Sequence, residues 1–142
     1  MDRICFGGQE LFLGQAPRLI CADTNCWIAY FSGEVGDDLD RLAECMSNNA
    51  ICMAPAILAE ILSNPWLPAE DESDILTIPL MELTPGFWRR AGKLRASLFR
   101  LNYRPKLADT LIAQTCIDHR VPLLTRDRDF RPFVKHGDLL LW

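Results

Sequence analysis

The sequence predicts an α/β fold with three layers around a mainly parallel sheet, and three observations carry that prediction. Short apolar runs at 19–22, 51–54 and 121–124 alternate with longer segments of helical spacing, the order expected of parallel strands and their crossover helices. Each run is brief and continuous, as in strands buried within a core. The chain has 142 residues, of which 49% are hydrophobic and 24% charged, enough for one real core but not for a second domain.

Each element follows from local chemistry. The strand at 19–22 leads into a helical segment at 26–31. Residues 38–47 have helical spacing through Leu39, Leu42, Ala43 and Met46, and stop at the turn-forming Asn48 and Asn49. A buried strand follows at 51–54. Pro55 suits a first helical turn because its missing N–H has no partner there, and the helix runs to 63 before Asn64 and Pro65. Residues 66–73 read as loop and 75–80 as a short strand. Pro85 and Gly86 then open a longer helix at 87–101, with Phe87, Ala91, Leu94, Leu98 and Leu101 on its apolar side. Pro105 starts another, whose Leu107, Leu111, Ile112, Cys116 and Ile117 predict burial against the sheet. The strand at 121–124, an exit loop at 125–130 and a closing strand at 139–142 complete the domain, 18–142. The extension at 1–17 reads as an added strand or arm, or a poorly ordered tail.

Composition narrows the function. No apolar run approaches the roughly 20 residues of a membrane span, and the N-terminal stretch has no cleavage pattern, so a cytoplasmic protein without membrane contact is expected. Cys5, Cys21, Cys26, Cys45, Cys52 and Cys116 form no CxxC pair and read as core thiols. His119 and His136 are isolated, which argues against zinc. Net charge is −4, against a generic polyanion binder. Its distribution is uneven, however. From 34 to 88 the sole base is Arg41, whereas 89–106 holds Arg89, Arg90, Lys93, Arg95, Arg100, Arg104 and Lys106 with no acid, a candidate face for phosphates.

Asp23, Glu60, Asp109 and Asp127 lie far apart in the chain but at related places in the predicted fold. Asp23 and Asp127 follow strands and emerge at the carboxyl edge of the sheet, where functional groups of open parallel sheets collect. Glu60 shares a helix face with Ile57 and Ile61. Asp109 sits in a first helical turn, in line with Ile112, Ala113 and Cys116. Taken singly, Asp23 also fits a helix cap, Asp109 a favourable helix-dipole position and Glu60 a rim residue. Gathered, they repel by about 4 kcal/mol per unit pair at ~4 Å and an effective dielectric of ~20, and call for a divalent counter-ion. Hard oxygens suit Mg²⁺ or Mn²⁺.

The local contexts of these acids, Ala22-Asp23-Thr24-Asn25, Pro55-Ala56-Ile57-Leu58-Ala59-Glu60, Leu107-Ala108-Asp109-Thr110-Leu111-Ile112-Ala113 and Leu124-Thr125-Arg126-Asp127-Arg128-Asp129-Phe130, resemble the PIN-domain nucleases, most nearly the VapC-type toxins of toxin-antitoxin pairs. The resemblance runs from about 18 to 142 and implies a PIN-like fold. It also implies an endoribonuclease dependent on Mg²⁺ or Mn²⁺, with Asp23, Glu60, Asp109 and Asp127 as catalytic and metal-binding acids. Asn25 and Thr125 match supporting polar positions, and Asp129 is an alternative or additional acid. Water-driven hydrolysis would leave a 5′-phosphate and a 3′-hydroxyl. Arg126 and Arg128 flank Asp127, and Arg89, Arg90, Arg95 and Arg104 are candidates for the RNA backbone. Trp88 and Tyr103 are candidates for stacking on unpaired bases, or for packing. The family likeness brings a possible antitoxin and a possible homodimer as partners, with Trp66, Leu67, Phe87 and Trp88 as candidate surface.

Three other classes compete. A receiver-type phosphoacceptor domain also gathers acids at strand ends, but it needs a lysine where this chain has Thr125 and Arg126. A catalytically silent PIN-like module that binds RNA or protein keeps the fold and loses the chemistry; all four acids are present, so nothing in the sequence favours it. A covalent-aspartate phosphohydrolase lacks its second aspartate two residues after Asp23.

Overall fold

Three very short parallel strands form the centre of the molecule: β3 (Ile20–Ala22), β4 (Ile51–Cys52) and β5 (Leu123–Leu124), in the order β4-β3-β5. The computed structural model describes the backbone of residues 3–6 and 9–12, and residues 18–142 in full. The first stretch carries an antiparallel pair, β1 (Arg3–Phe6) with β2 (Gln9–Phe12), so the added-strand reading of the extension holds for those residues. The rest of 1–17 lies outside the described residues.

Ile20, Cys21 and Ala22 are all 0% exposed. Successive strand residues face opposite ways, so a strand buried at every position is covered on both sides. That is the three-layer α/β arrangement the sequence predicts. Register pairs Cys21 with Cys52 and with Leu123. Single bridges from Met53 to Leu80 and from Leu123 to Leu141 widen the sheet at its edges.

The helices are α1 (Thr24–Phe31), α2 (Asp37–Ser47), α3 (Pro55–Leu62), α4 (Ala69–Ile75), α5 (Phe87–Arg100), α6 (Leu107–His119) and α7 (Arg131–Gly137), with a 3₁₀ turn at Arg128–Phe130. Several expectations are corrected. Most of the predicted loop at 66–73 is α4, which lacks an apolar stripe and buries only Ile75; Glu70, Asp71 and Glu72 favour its N-terminal end instead. The predicted strand at 75–80 shrinks to the Leu80 bridge, and that at 139–142 to the bridge at Leu141. The exit loop at 125–130 ends in the 3₁₀ turn, and α7, with Pro132 in its first turn, lies in a stretch for which the sequence predicts no element.

Helix α6 also departs from its predicted stripe. Leu107 is exposed and Leu111 only partly buried, while Thr110, Gln114 and Thr115 are buried. Burying the two threonines costs little because each hydroxyl donates to the carbonyl four residues back, Lys106 O at 2.9 Å and Leu111 O at 2.7 Å. In α5, Phe87, Ala91 and Leu98 are buried as predicted, but Leu101 is exposed beyond the helix end. Cys21, Cys26, Cys45, Cys52 and Cys116 are free and buried, and no helix among the described residues is long and apolar enough to cross a membrane.

Arg90 joins α5 to α6. Its Nε and Nη2 donate to Asp118 at 3.0 and 2.7 Å, Nη2 also reaches Thr84 Oγ1, and Nη1 donates to Pro85 O at 2.8 Å. Gln114 donates to the same Asp118. Gly86, at φ +82°, lets the chain turn into α5 beneath this guanidinium, and a Cβ there would lie 2.8 Å from Arg90 Nη1. Gly86→Ala is therefore expected to lower stability by about 1–2 kcal/mol through left-handed backbone strain, with displacement of Arg90 in addition. Urea denaturation at constant m-value measures this.

Candidate metal and nuclease centre

Asp23 is fixed first by the sheet. It follows β3 directly, its amide donates to Leu124 O at 2.8 Å, and it caps α1 as a buried residue with 4% exposure. Thr125, one residue beyond β5, donates its hydroxyl to Asp23 Oδ2 at 3.0 Å. The same hydroxyl accepts the Asp127 amide at 3.0 Å, and Asp127 Oδ1 accepts the Asp129 amide at 2.8 Å. A chain of short polar contacts thus runs from Asp23 to the 3₁₀ turn. On the other side Thr24 donates its hydroxyl to Glu60 Oε1 at 2.9 Å, which ties the N-terminus of α1 to α3.

Asp109, in the first turn of α6, joins Asp127 and Asp129, one carboxylate oxygen from each lying within 4.8 Å of the others. The electrostatics record the crowding. Burial first, then the charges of Asp127, Asp23 and Glu60, push Asp109 up to about 6, with Lys106 opposing them. Asp23 is also raised, by burial above all, against the hydrogen bonds from Thr125 and Thr24, with Glu60 and Asp127 adding to the rise. The structure thus brings Asp23, Glu60, Asp109, Asp127 and Asp129 to one rim.

Among the described residues no basic side chain forms an ion pair with these carboxylates. Arg126, although next to Asp127, turns away: Nη1 meets Glu34 at 2.8 Å, and Nε and Nη2 both meet Asp38. Its ion pairs pin the turn carrying Thr125 and Asp127 to the N-terminus of α2. A set of oxygen donors, one of them buried with a raised pKa, and held by hydroxyls and amides rather than by basic side chains, fits a hard divalent ion.

The remaining predicted residues spread out. Asn25 is exposed and lines a shallow cavity with Ile28, Glu34 and Arg126. Arg128 and Arg104 line a common groove with Asp129, and Arg104 also stands over the Phe99 ring at 5.6 Å, beside Arg95 at 4.9 Å. Arg89 is exposed on α5. Arg90 is engaged with Asp118 at the far end of α6, so its guanidinium is already paired. Among the suggested surface aromatics, Trp66 and Trp88 are exposed at 85% and 66%, whereas Phe87 is core at 2%. Sequence reasoning missed four contributors. Thr24 carries Glu60, Lys106 faces Asp109, and Asp38 with Glu34 holds Arg126. Only Thr24 lay inside a recognised motif.

A model of the PIN domain family matches residues 20–134. Among solved structures, the chain is similar to VapBC2 from Rickettsia felis bound to a DNA fragment from its promoter, at TM-score 0.70 and 21% identity over 87% of this chain and 97% of that one. VapBC-1 from nontypeable Haemophilus influenzae gives 0.69 at 16% identity, covering 87% and 96%. DNA-bound VapBC from Salmonella typhimurium gives 0.67 at 16%, covering 88% and 97%. At these identities the likeness is one of fold. No curated protein sequence matches the chain.

The raised Asp109 pKa has a thermodynamic consequence. Between the ordinary value of 3.8 and about 6 the folded protein keeps a proton that the unfolded chain releases. The stability this lends is full below the ordinary value and is lost as pH rises through about 6. The melting temperature of chelator-treated protein is thus expected to fall from about pH 5 to pH 7. Asp109→Asn should raise it at neutral pH and flatten the decline. Melts monitored by circular dichroism across that range decide it.

Proposed function

The chain belongs to the PIN domain family, and from that premise we propose that it is a metal-dependent endoribonuclease acting as the toxin of a toxin-antitoxin pair. One observation carries the proposal above the others: five carboxylates from four parts of the fold share a rim, and among the described residues no basic side chain forms an ion pair with them. Asp23, Asp109, Asp127 and Asp129 would hold a Mg²⁺ or Mn²⁺ ion, with Glu60 at the edge. Such an ion, when bound, supplies charge stabilisation to the phosphate under attack and acidifies water.

The chain's own residues prepare that chemistry. Thr125 holds the Asp23 carboxylate and the Asp127 backbone with one hydroxyl, so the two acids keep a fixed relation without a competing cation. Asp109 must lose its proton to take part, which its pKa of about 6 permits at neutral pH. Glu60, exposed and held by Thr24, is placed to accept the proton that an attacking water sheds. Arg128 and Arg104 offer positive charge outside the rim, where it attracts the phosphate backbone without displacing the metal.

An antitoxin partner is supported by the VapBC complexes among the similar structures. A cavity lined by Ile28, Phe31, Ile61 and Leu67, with Glu60 at its border, offers an apolar seat beside the acids, and the exposed Trp66 follows closely in sequence. An antitoxin lying there would cover the site. A homodimer through the exposed Trp88 region is a further partner the fold allows.

Cleavage of a single-stranded RNA with Mn²⁺ tests the activity. Asp23→Asn and Asp109→Asn should each reduce the rate by at least about a hundredfold, the scale set by losing electrostatic stabilisation of a transition state. Chelation should abolish cleavage in the wild type, and end-group analysis should find 5′-phosphate and 3′-hydroxyl. A 2′,3′-cyclic phosphate would overturn the water-driven mechanism.

A further inference from the structure

Beside the acidic rim lies a second concavity of a different character, about 220 Å³ in volume. Arg104, Lys106 and Arg128 contribute three cations to its lining, Pro105 and Pro132 contribute apolar surface, and the partly buried Tyr103 contributes an aromatic residue. Its rim includes Asp129, which also belongs to the carboxylate trio with Asp109 and Asp127. The pocket and the candidate metal centre therefore share a residue.

We propose that this pocket is a nucleotide subsite, in which the nucleotide flanking the scissile phosphate places its base against Tyr103 and its phosphate among Arg104, Lys106 and Arg128. The inference rests on the nuclease reading above for its substrate, and on the pocket's own chemistry for its placement.

Three features select that occupant. The cations are grouped where the rest of the rim is acidic, so a ligand carrying negative charge is drawn to this side of the centre. On the opposite side Arg126 is closed off by Glu34 and Asp38, and the cavity at Glu60 also carries Asp71. Aromatic and proline surfaces suit the face of an unpaired base, and stacking tolerates any base. Tyr103 is anchored against the core. Its amide donates to Leu98 O at 3.0 Å, and its ring lies 5.5 Å from that of His136, tilted by 50°. Lys106 sits at the N-terminus of α6 near Asp109, and so connects the pocket to the metal centre. A base that enters this pocket to reach Tyr103 has left its own helical stack and its pairing partner, so the bound segment is single-stranded.

Binding rather than turnover gives the cleanest test. The probes are fluorescently labelled ribo-hexamers of A, C and U, each with an abasic ribose placed at one position in turn, titrated by anisotropy in Ca²⁺. An abasic site at one position should weaken binding about ten- to a hundredfold in the wild type, the range for loss of one base stack. Tyr103→Ala should weaken the intact hexamer similarly and remove the abasic penalty, while Tyr103→Phe should retain both. Arg128→Ala, which leaves the aromatic face intact, should reduce the salt slope by about 0.7. Cleavage of the same hexamers in Mn²⁺ is scored in parallel. A position-specific penalty without cleavage keeps the subsite and removes the nuclease reading. Cleavage with a uniform abasic penalty that Tyr103→Ala leaves unchanged removes the subsite and keeps the nuclease. An unaltered salt slope in Arg128→Ala also counts against the subsite.

Discussion

Mutual repulsion among carboxylates at the carboxyl edge of the sheet is the constraint around which this molecule is arranged. Like charges brought this close would separate unless something restrains them, and the fold restrains them without neutralising them. Hydroxyls of Thr125 and Thr24, and the amides of Thr24, Asp127 and Asp129, supply the holding contacts. Arginine is kept apart: Arg126 pairs with Glu34 and Asp38, and Arg90 with Asp118. Among the described residues no ion pair consequently balances the charge at the rim, which is the condition a metal centre requires and a structural ion-pair network removes.

The basic residues follow the same logic at longer range. Arg104, Lys106 and Arg128 collect in a groove next to the acids rather than among them. A cationic groove and an acidic rim thereby coexist within a chain of net charge −4. The acidic mean conceals a division of labour that the overall charge does not express.

The sequence disclosed the sheet's location and the convergence of the acids because both depend on local rules. Apolar runs end where β3 and β5 end, and the residue at the exit of a parallel strand has few places to go. Glu60 and Asp109 were legible from helical spacing against Ile57, Ile61, Ile112 and Ala113. What could not be read was decided by tertiary contacts. Helix α4 has no periodic stripe, because one buried residue, Ile75, suffices to seat it. The inward threonines of α6 satisfy their hydroxyls within the helix, so polarity there gave a false sign of exposure. Arg90 and Arg126 looked alike in a basic context, yet each partner lies 28 or more residues away, Asp118 in one case and Asp38 in the other. Asp129 drew level with Asp127 only through the 3₁₀ turn, which returns its amide to the Asp127 carboxylate.

Strands of two or three residues leave almost no distance between interior and rim. Cys21 is fully enclosed, and Asp23, two positions later, already belongs to the acidic edge. Interior repacking in such a molecule is bound to be felt by the acids, and drift in the acids by the interior. Divergence within so thin a framework would be channelled outward, into grooves, arms and partner-facing helices, while the centre evolves as one inseparable block.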